Sequence, residues 1–140
     1  MYDTILFPTD GSDETIDAAA HAFSHAERYD ATIHVLSVVE LSSSLGTTGR
    51  DDDELDRRKH ERRATAQQLI DEHAPESVDA TVAVEFGSPT RVITEYATEI
   101  GADLAVMSTR ARGGAGRVIF GSVTEQVIQA GDTPVLAVQR

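Results

Sequence analysis

The chain has 140 residues and no cysteine, and its formal charge is −12, from 24 acidic against 12 basic side chains. These facts exclude a disulfide framework, thiol catalysis and a Cys-ligated metal. They also argue against nucleic acid as a partner, because duplex binding needs a basic footprint.

A chain of this length is expected to form one domain over 1–140. A domain of about 150 residues buries roughly 70% of its unfolded surface. No apolar run reaches the roughly 20 residues that cross a bilayer as a helix, so no membrane partner is expected. The opening Met1-Tyr2-Asp3-Thr4 lacks the basic stretch of a secretory signal, so the cytoplasm is the expected compartment. Lys59 is the sole lysine, and the other basic residues are arginine. An acidic, lysine-poor composition rich in Asp, Ala, Thr and Gly resembles halophilic proteins, whose self-repulsion salt screens over about 3 Å at 1 M.

Tyr2 to Pro8 reads as a strand, with Ile5, Leu6 and Phe7 as a continuous apolar run covered on both faces, and Pro8 ending it. In Thr9-Asp10-Gly11-Ser12, Gly11 permits a sharp turn and Ser12 suits a helix N-cap. The helix runs to about Tyr29, with Ile16, Ala19, Ala20, Phe23 and Ala26 as its apolar face. Ala31 to Val39 is a second strand, rich in β-branched residues. Glu40 to Asp53 reads as a loop, mobile over 41–53. A charged helix follows to His73, with Leu55, Ala66, Leu69 and Ile70 on its sparse apolar side. Its Arg57-Arg58-Lys59-His60-Glu61-Arg62-Arg63 run reads as an ion-paired face.

Asp79 to Phe86 alternates like a strand with one exposed face. Ser88 and Pro89 suit an N-cap and first helical position, Val92, Ile93, Tyr96, Ala97 and Ile100 form a core face, and Gly101 suits a C-cap. Asp103 to Ser108 is the fourth strand. A loop rich in Gly and Arg leads to Gly121-Ser122, which opens a helix to about Ala130. Thr133 to Gln139 is the fifth strand.

This alternation predicts an α/β fold: a doubly wound, five-stranded parallel sheet with helices on both faces. Ligands in such sheets bind beyond the carboxyl ends of the strands, at the switch point of the strand order. Pro8-Thr9-Asp10, Val38-Val39-Glu40 and Ser108 onward therefore converge on one crevice. Asp10 reads either as a turn residue or as an acceptor for adenine or ribose. At Gly121-Ser122-Val123-Thr124, the reading is a simple helix cap, a phosphate site on free helix-start amides, or both. Arg110, Arg112 and Arg117 in or beside the loop suit phosphate or carboxylate partners. His21 and His25 lie one helical turn apart but lack a third ligand of supporting spacing, so they read as exposed, and His34 reads as a strand position beside the core. No Ser-His-Asp set is defensible from spacing, and neither a P-loop nor a G-x-G-x-x-G turn is present. No catalytic residue is nominated.

Across its full length the sequence resembles the universal stress protein family, within the adenine nucleotide alpha hydrolase-like group. The resemblance rests on I-L-F-P-T-D-G-S, I-H-V-L-S-V-V-E, F-G-S-P, the A-D-L-A-V-M-S-T-R-A-R-G-G…F-G-S-V-T-E-Q-V-I segment and T-P-V-L-A-V. It implies strand order 3-2-1-4-5 and a homodimer built by antiparallel pairing of the last strands, Val135 to Gln139. It implies a stress-response role and an ATP or other adenine-nucleotide site, with Mg as counter-ion and no protein-ligated metal. By resemblance, Pro8, Thr9 and Asp10 lie near the adenosine, Val38 lines the adenine site, and Met107 ends the fourth strand. Ser122 and Val123 meet the phosphates.

The ATP-binding pattern G-x2-G-x9-G-[ST] places its glycines at Ser108, Ala111 and Gly121, followed by Ser122. Ser108 and Ala111 thus replace two glycines. A Cβ where close backbone approach or positive φ is needed costs about 1 kcal/mol or more, so a weakened site is expected. Slow hydrolysis or autophosphorylation would by resemblance use Ser122 or Thr124. The alternatives are a family member acting through its dimer surfaces without nucleotide, and an acyl-adenylate enzyme. The latter needs S-G-G-x-D-S where this chain has P-T-D-G-S-D.

The charge balance yields one prediction. Thermal melting is expected to rise with KCl concentration, as screening relieves acidic repulsion. A melting temperature independent of KCl contradicts it.

Overall fold

The computed structural model describes residues 2–12, 14–40, 51–109 and 118–139, without the side chains of 14, 51 and 118–122. Its elements are β1 (Thr4–Thr9), α1 (Glu14–Tyr29), β2 (Thr32–Val39), α2 (Asp51–His73), β3 (Asp79–Phe86), α3 (Pro89–Ile100), β4 (Leu104–Ser108), α4 (Val118–Ala130) and β5 (Val135–Val138). All strand pairs are parallel, and the five-stranded sheet has the order β3-β2-β1-β4-β5, as the resemblance implied.

The apolar runs are continuous because both sheet faces are covered. Successive side chains point to opposite faces, so each strand feeds two cores. Ile5, Phe7, Ile33, Val35, Leu104 and Val106 pack with α1 and α2 residues such as Phe23 and Leu69. Leu6, Leu36, Ala105 and Met107 pack on the other face with Val92, Ile93, Val123 and Val127 of α3 and α4. Edge strand β3 alternates in burial, as its sequence pattern requires.

Several local expectations shift. β1 continues through Pro8 to Thr9, with Pro8 opposite Leu36. Its ladder to β4 contains only Ile5 and Leu6. Pro8 therefore lies beyond the two-sided pairing, where a missing N–H is tolerated. The buried face of α1 is rotated from the expected one. Thr15, Ala18, Ala19, Ala22, Phe23 and Ala26 are buried, whereas Ile16 is 37% exposed and Ala20 is exposed. Alanine lies on both sides of this helix, so apolar spacing alone leaves its rotation ambiguous. α2 begins at Asp51, so residues 51–53 are helical rather than loop, while 41–50 lie outside the described residues. β5 starts after Pro134, whose carbonyl still accepts the Ala105 N–H at 2.8 Å.

At α3, Ser88 holds the N-cap position with extended backbone but makes no side-chain cap bond. Pro89 lowers the need for one, because it has no N–H to satisfy. The other end closes by a Schellman motif. Gly101 donates to Thr98 O at 3.2 Å and Ala102 to Ala97 O at 2.9 Å. On the same side of the sheet, His34 Nδ1 lies 3.0 Å from Tyr96 Oη. Burial holds the His34 imidazole below its usual pKa, against the weaker opposing pull of Asp79.

Gly101 has φ +65 and open space where a Cβ would point. Gly101→Ala is therefore expected to lower stability through backbone strain alone, by about 1–2 kcal/mol. Urea unfolding reads this directly, and an unchanged midpoint contradicts the role given to the αL cap.

Candidate functional site

The site begins in the turn after β1. Thr9 is 4% exposed and its hydroxyl is a junction. Thr15 Oγ1 donates to the Ser12 carbonyl at 2.8 Å. That uses its only proton, so in the 2.8 Å contact between the two hydroxyls Thr9 is the donor. Thr9 Oγ1 in turn accepts the Gly11 N–H at 3.0 Å. Asp10 Oδ1 accepts the Ser12 N–H at 2.8 Å, an Asx-turn. Gly11 takes φ +81, and a Cβ there would lie 3.1 Å from Thr65 Cγ2 of α2. Two constraints thus require glycine: a left-handed backbone and the close pass of a helix. These bonds fix Asp10 at the strand tip, with no partner for its Oδ2 among the described residues.

Beyond the carboxyl ends of β1 and β2 lies a cavity of about 590 Å³. Pro8, Thr9, Asp10, Gly11 and Ser12 form one wall, and Val38, Val39 and Glu40 another. Pro89 and Ile93 of α3 and Val123 of α4 close the apolar side. Ile93, Val39 and Val123 are almost wholly buried beneath it, at 1%, 2% and 4% exposure. An apolar floor edged by a few fixed polar groups suits a small organic ligand, and the volume lies within the range of such sites.

α2 supplies the remaining wall through Arg58, Glu61 and Arg62. The charged run was expected to be an ion-paired surface, and half of it is. Arg57 binds Glu54 and, at 2.7 Å, Glu61. Glu54 and Glu61 hold the Arg57 guanidinium above its ordinary pKa, the Glu54 hydrogen bond foremost. Arg62 instead turns inward. Its Nη1 donates to Ser37 Oγ and Val38 O, both at 3.1 Å. Arg58 Nη1 reaches Glu40 O at 3.4 Å. Sequence reasoning missed both arginines as lining groups. Their i,i+4 spacing was the available signal, since it places two like charges on one helix stripe.

The expected site residues divide into four sets. Pro8, Thr9, Asp10, Val38 and Val123 come together around the cavity. Met107, Ser108 and Thr124 are buried at 0–1% exposure below and beside it. Thr124 Oγ1 donates to Ser108 O at 2.7 Å, tying α4 to the end of β4. Arg110, Ala111 and Arg112 lie outside the described residues, as does Arg117. Gly121 and Ser122 do not open α4, because the helix already begins at Val118. A lone glycine lowers helix propensity by about 1 kcal/mol but does not terminate a helix. A second correction concerns Ser108. Asp30 is the only described non-glycine residue with positive φ. Ser108 therefore carries no left-handed strain, and of the two reasons for a glycine there only close approach remains.

The fold and crevice define a doubly wound protein with a cavity at the carboxyl ends of its strands, the position at which such sheets bind ligands. The family model described as universal stress protein family matches residues 1–139. A universal stress protein of Methanocaldococcus jannaschii is 34% identical over 142 residues, covering 100% of this chain and 84% of the relative. The solved structure of the hypothetical protein MJ0577 superposes with a TM-score of 0.85 at 23% identity, covering 100% of this chain and 97% of that one. A universal stress protein solved in complex with cAMP superposes with a TM-score of 0.67 at 23% identity, over 99% and 97% of the two chains. The chain belongs to the universal stress protein family. Among the described residues, no helix is long and apolar enough to cross a membrane, and no group of three or more His, Cys, Asp or Glu residues is placed to hold a metal ion.

The Thr9 junction generates a prediction. Thr9→Val keeps the side-chain shape but removes the bonds to Thr15 and Gly11 in a buried setting. It is expected to cost about 1–3 kcal/mol in urea unfolding. A loss below a few tenths would show that the junction does not hold the turn.

Proposed function

We propose that this protein is a stress-response regulator that binds an adenine nucleotide in the crevice above β1 and β2. The observation that carries the reading is the convergence of Pro8, Thr9, Asp10, Val38 and Val123 on one cavity of about 590 Å³. Val38 and the apolar α3–α4 side suit the faces of a purine. The outward Asp10 carboxylate suits a ribose hydroxyl, because a carboxylate accepts hydrogen bonds from hydroxyls. A relative of known structure is bound to cAMP, which supports an adenine nucleotide here. ATP is the nucleotide proposed, with Mg2+ as its counter-ion and Gly121, Ser122, Arg110 and Arg112 toward its outer phosphates. Ser108 and Ala111 weaken that outer part of the site. No residue is assigned a catalytic role; the protein senses or signals through occupancy. The working unit is a cytoplasmic homodimer, paired through the last strand.

A second reading is a family member acting through its dimer surface without nucleotide. It is favoured by the full burial of Ser108, with its carbonyl taken by Thr124 where the family pattern has glycine.

Titration calorimetry with ATP and Mg2+ in high KCl separates the two. Saturable heat is expected, with affinity lowered about tenfold or more by Asp10→Ala and by Gly121→Val. Absence of heat and of any thermal shift at millimolar ATP favours the second reading. Binding unchanged in both variants would mean the ligand lies elsewhere.

A further inference from the structure

The geometry points to Arg62 as a positioning residue of the crevice. Its guanidinium stands in for the strand neighbour that β2 loses where β1 turns away, and so fixes Val38 as the wall a base lies against. This rests on the nucleotide reading above and deepens it.

The parallel ladder between β1 and β2 ends at Thr9 and Ser37, whereas β3 accompanies β2 as far as Val39. Gly87 N–H donates to Val39 O at 3.0 Å. Carbonyls alternate along a strand, so that of Val38 faces the β1 side. Gly11, whose N–H is next in line there, donates instead to Thr9 Oγ1 at 3.0 Å. At Val38, β2 therefore has a strand on one side only. A strand end bordering a cavity in this way is prone to fray, and its carbonyl needs another partner.

Arg62 supplies that partner. Its Nη1 donates to Val38 O and to Ser37 Oγ, both at 3.1 Å. Ser37 is 2% exposed, so its hydroxyl has little access to water. One cationic group thus ties two consecutive residues of β2, and bonds from a charged donor are stronger than neutral ones. The side chain is itself confined: with Thr9, Gly11, Thr65, Ala66 and Leu69 it borders only about 10 Å³ of empty space. A confined donor loses little freedom in holding its acceptors. Its neighbours do not share the task. Arg63 points to Val82 O at 3.5 Å, and Arg58 reaches Glu40 O only at 3.4 Å. Val38 lines the cavity opposite the apolar α3–α4 side. Dispersion contact with a flat ring falls off steeply with distance, so a wall that drifts loses affinity for the base. Because Arg62 acts through β2, its removal weakens a nucleoside and its phosphate ester alike.

Calorimetry with AMP and adenosine, together with amide hydrogen exchange on the free protein, tests this on the full chain. Arg62→Gln is expected to weaken both probes by the same factor, about fivefold or more. It should also speed exchange at Val38, Val39 and Gly87 while leaving Ile33 and Val35, lower in the same sheet, as in the wild type. Arg62→Lys should restore part of both effects, and Arg63→Gln should produce neither. Urea unfolding run alongside keeps every measurement where the variants are folded. Unchanged exchange at those three amides in Arg62→Gln overturns the assignment. So does faster exchange with both affinities intact, or a loss confined to AMP, which would make Arg62 a phosphate contact. A wild-type protein that binds neither probe contradicts the nucleotide reading, and the exchange comparison then decides by itself whether Arg62 fixes the end of β2.

Discussion

The structure depends on the position of β1. It lies between β2 and β4 in the sheet, and Ile5, Leu6 and Phe7 are wholly buried. A strand buried on both faces must have its backbone groups paired, because neither face offers water. The pairing is unequal. β1 pairs with β2 for its whole length but is in register with β4 only at Ile5 and Leu6. Strand order reverses at this seam, so the connections leaving the carboxyl ends run to opposite sides. The crevice opens beside it, beyond the carboxyl ends of β1 and β2, as the winding of such sheets allows. Proline at position 8 fits the same geometry.

That opening would have no fixed chemistry without the turn beneath it. One buried hydroxyl, Thr9, links the strand tip to Gly11 and to Thr15. The same bonds set the entry of α1 and the placement of Asp10. This couples helix phase to site geometry. Thr15 faces inward because its hydroxyl is used, and Ile16 is thereby left outside. α2 packs against the turn closely enough to require Gly11, and so carries its own arginines to the crevice rim. Apolar packing fixes the layers, and a few short hydrogen bonds fix which side chains face the crevice.

The strands were legible in the sequence because period and burial agree. Asp79–Phe86 alternates as an edge strand should, and Ile5-Leu6-Phe7 is continuous as a central one should be. Glycine punctuation was equally readable at Gly11 and Gly101, where positive φ is observed. The apolar face of α1 was misread because its alanines carry no directional signal. The start of α4 was misread because Gly-Ser resembles a cap and one glycine does not end a helix. The inward turn of Arg62 was not legible at all. It depends on Ser37 Oγ and the Val38 carbonyl, which lie on another element 24–25 residues away. Half of the site follows from strand ends and could be placed from sequence. The other half comes from a helix crossing over them.

If the crevice between the β1 turn, the end of β2, α2 and α4 holds a nucleotide, binding must register on its walls. Backbone amide NMR during titration with AMP reads this residue by residue. The largest shifts are expected at Gly11, Ser12, Val39 and Val123, with Arg58 and Arg62 following. Shifts confined to β5 or to the outer face of α1, with those amides unmoved, would contradict it.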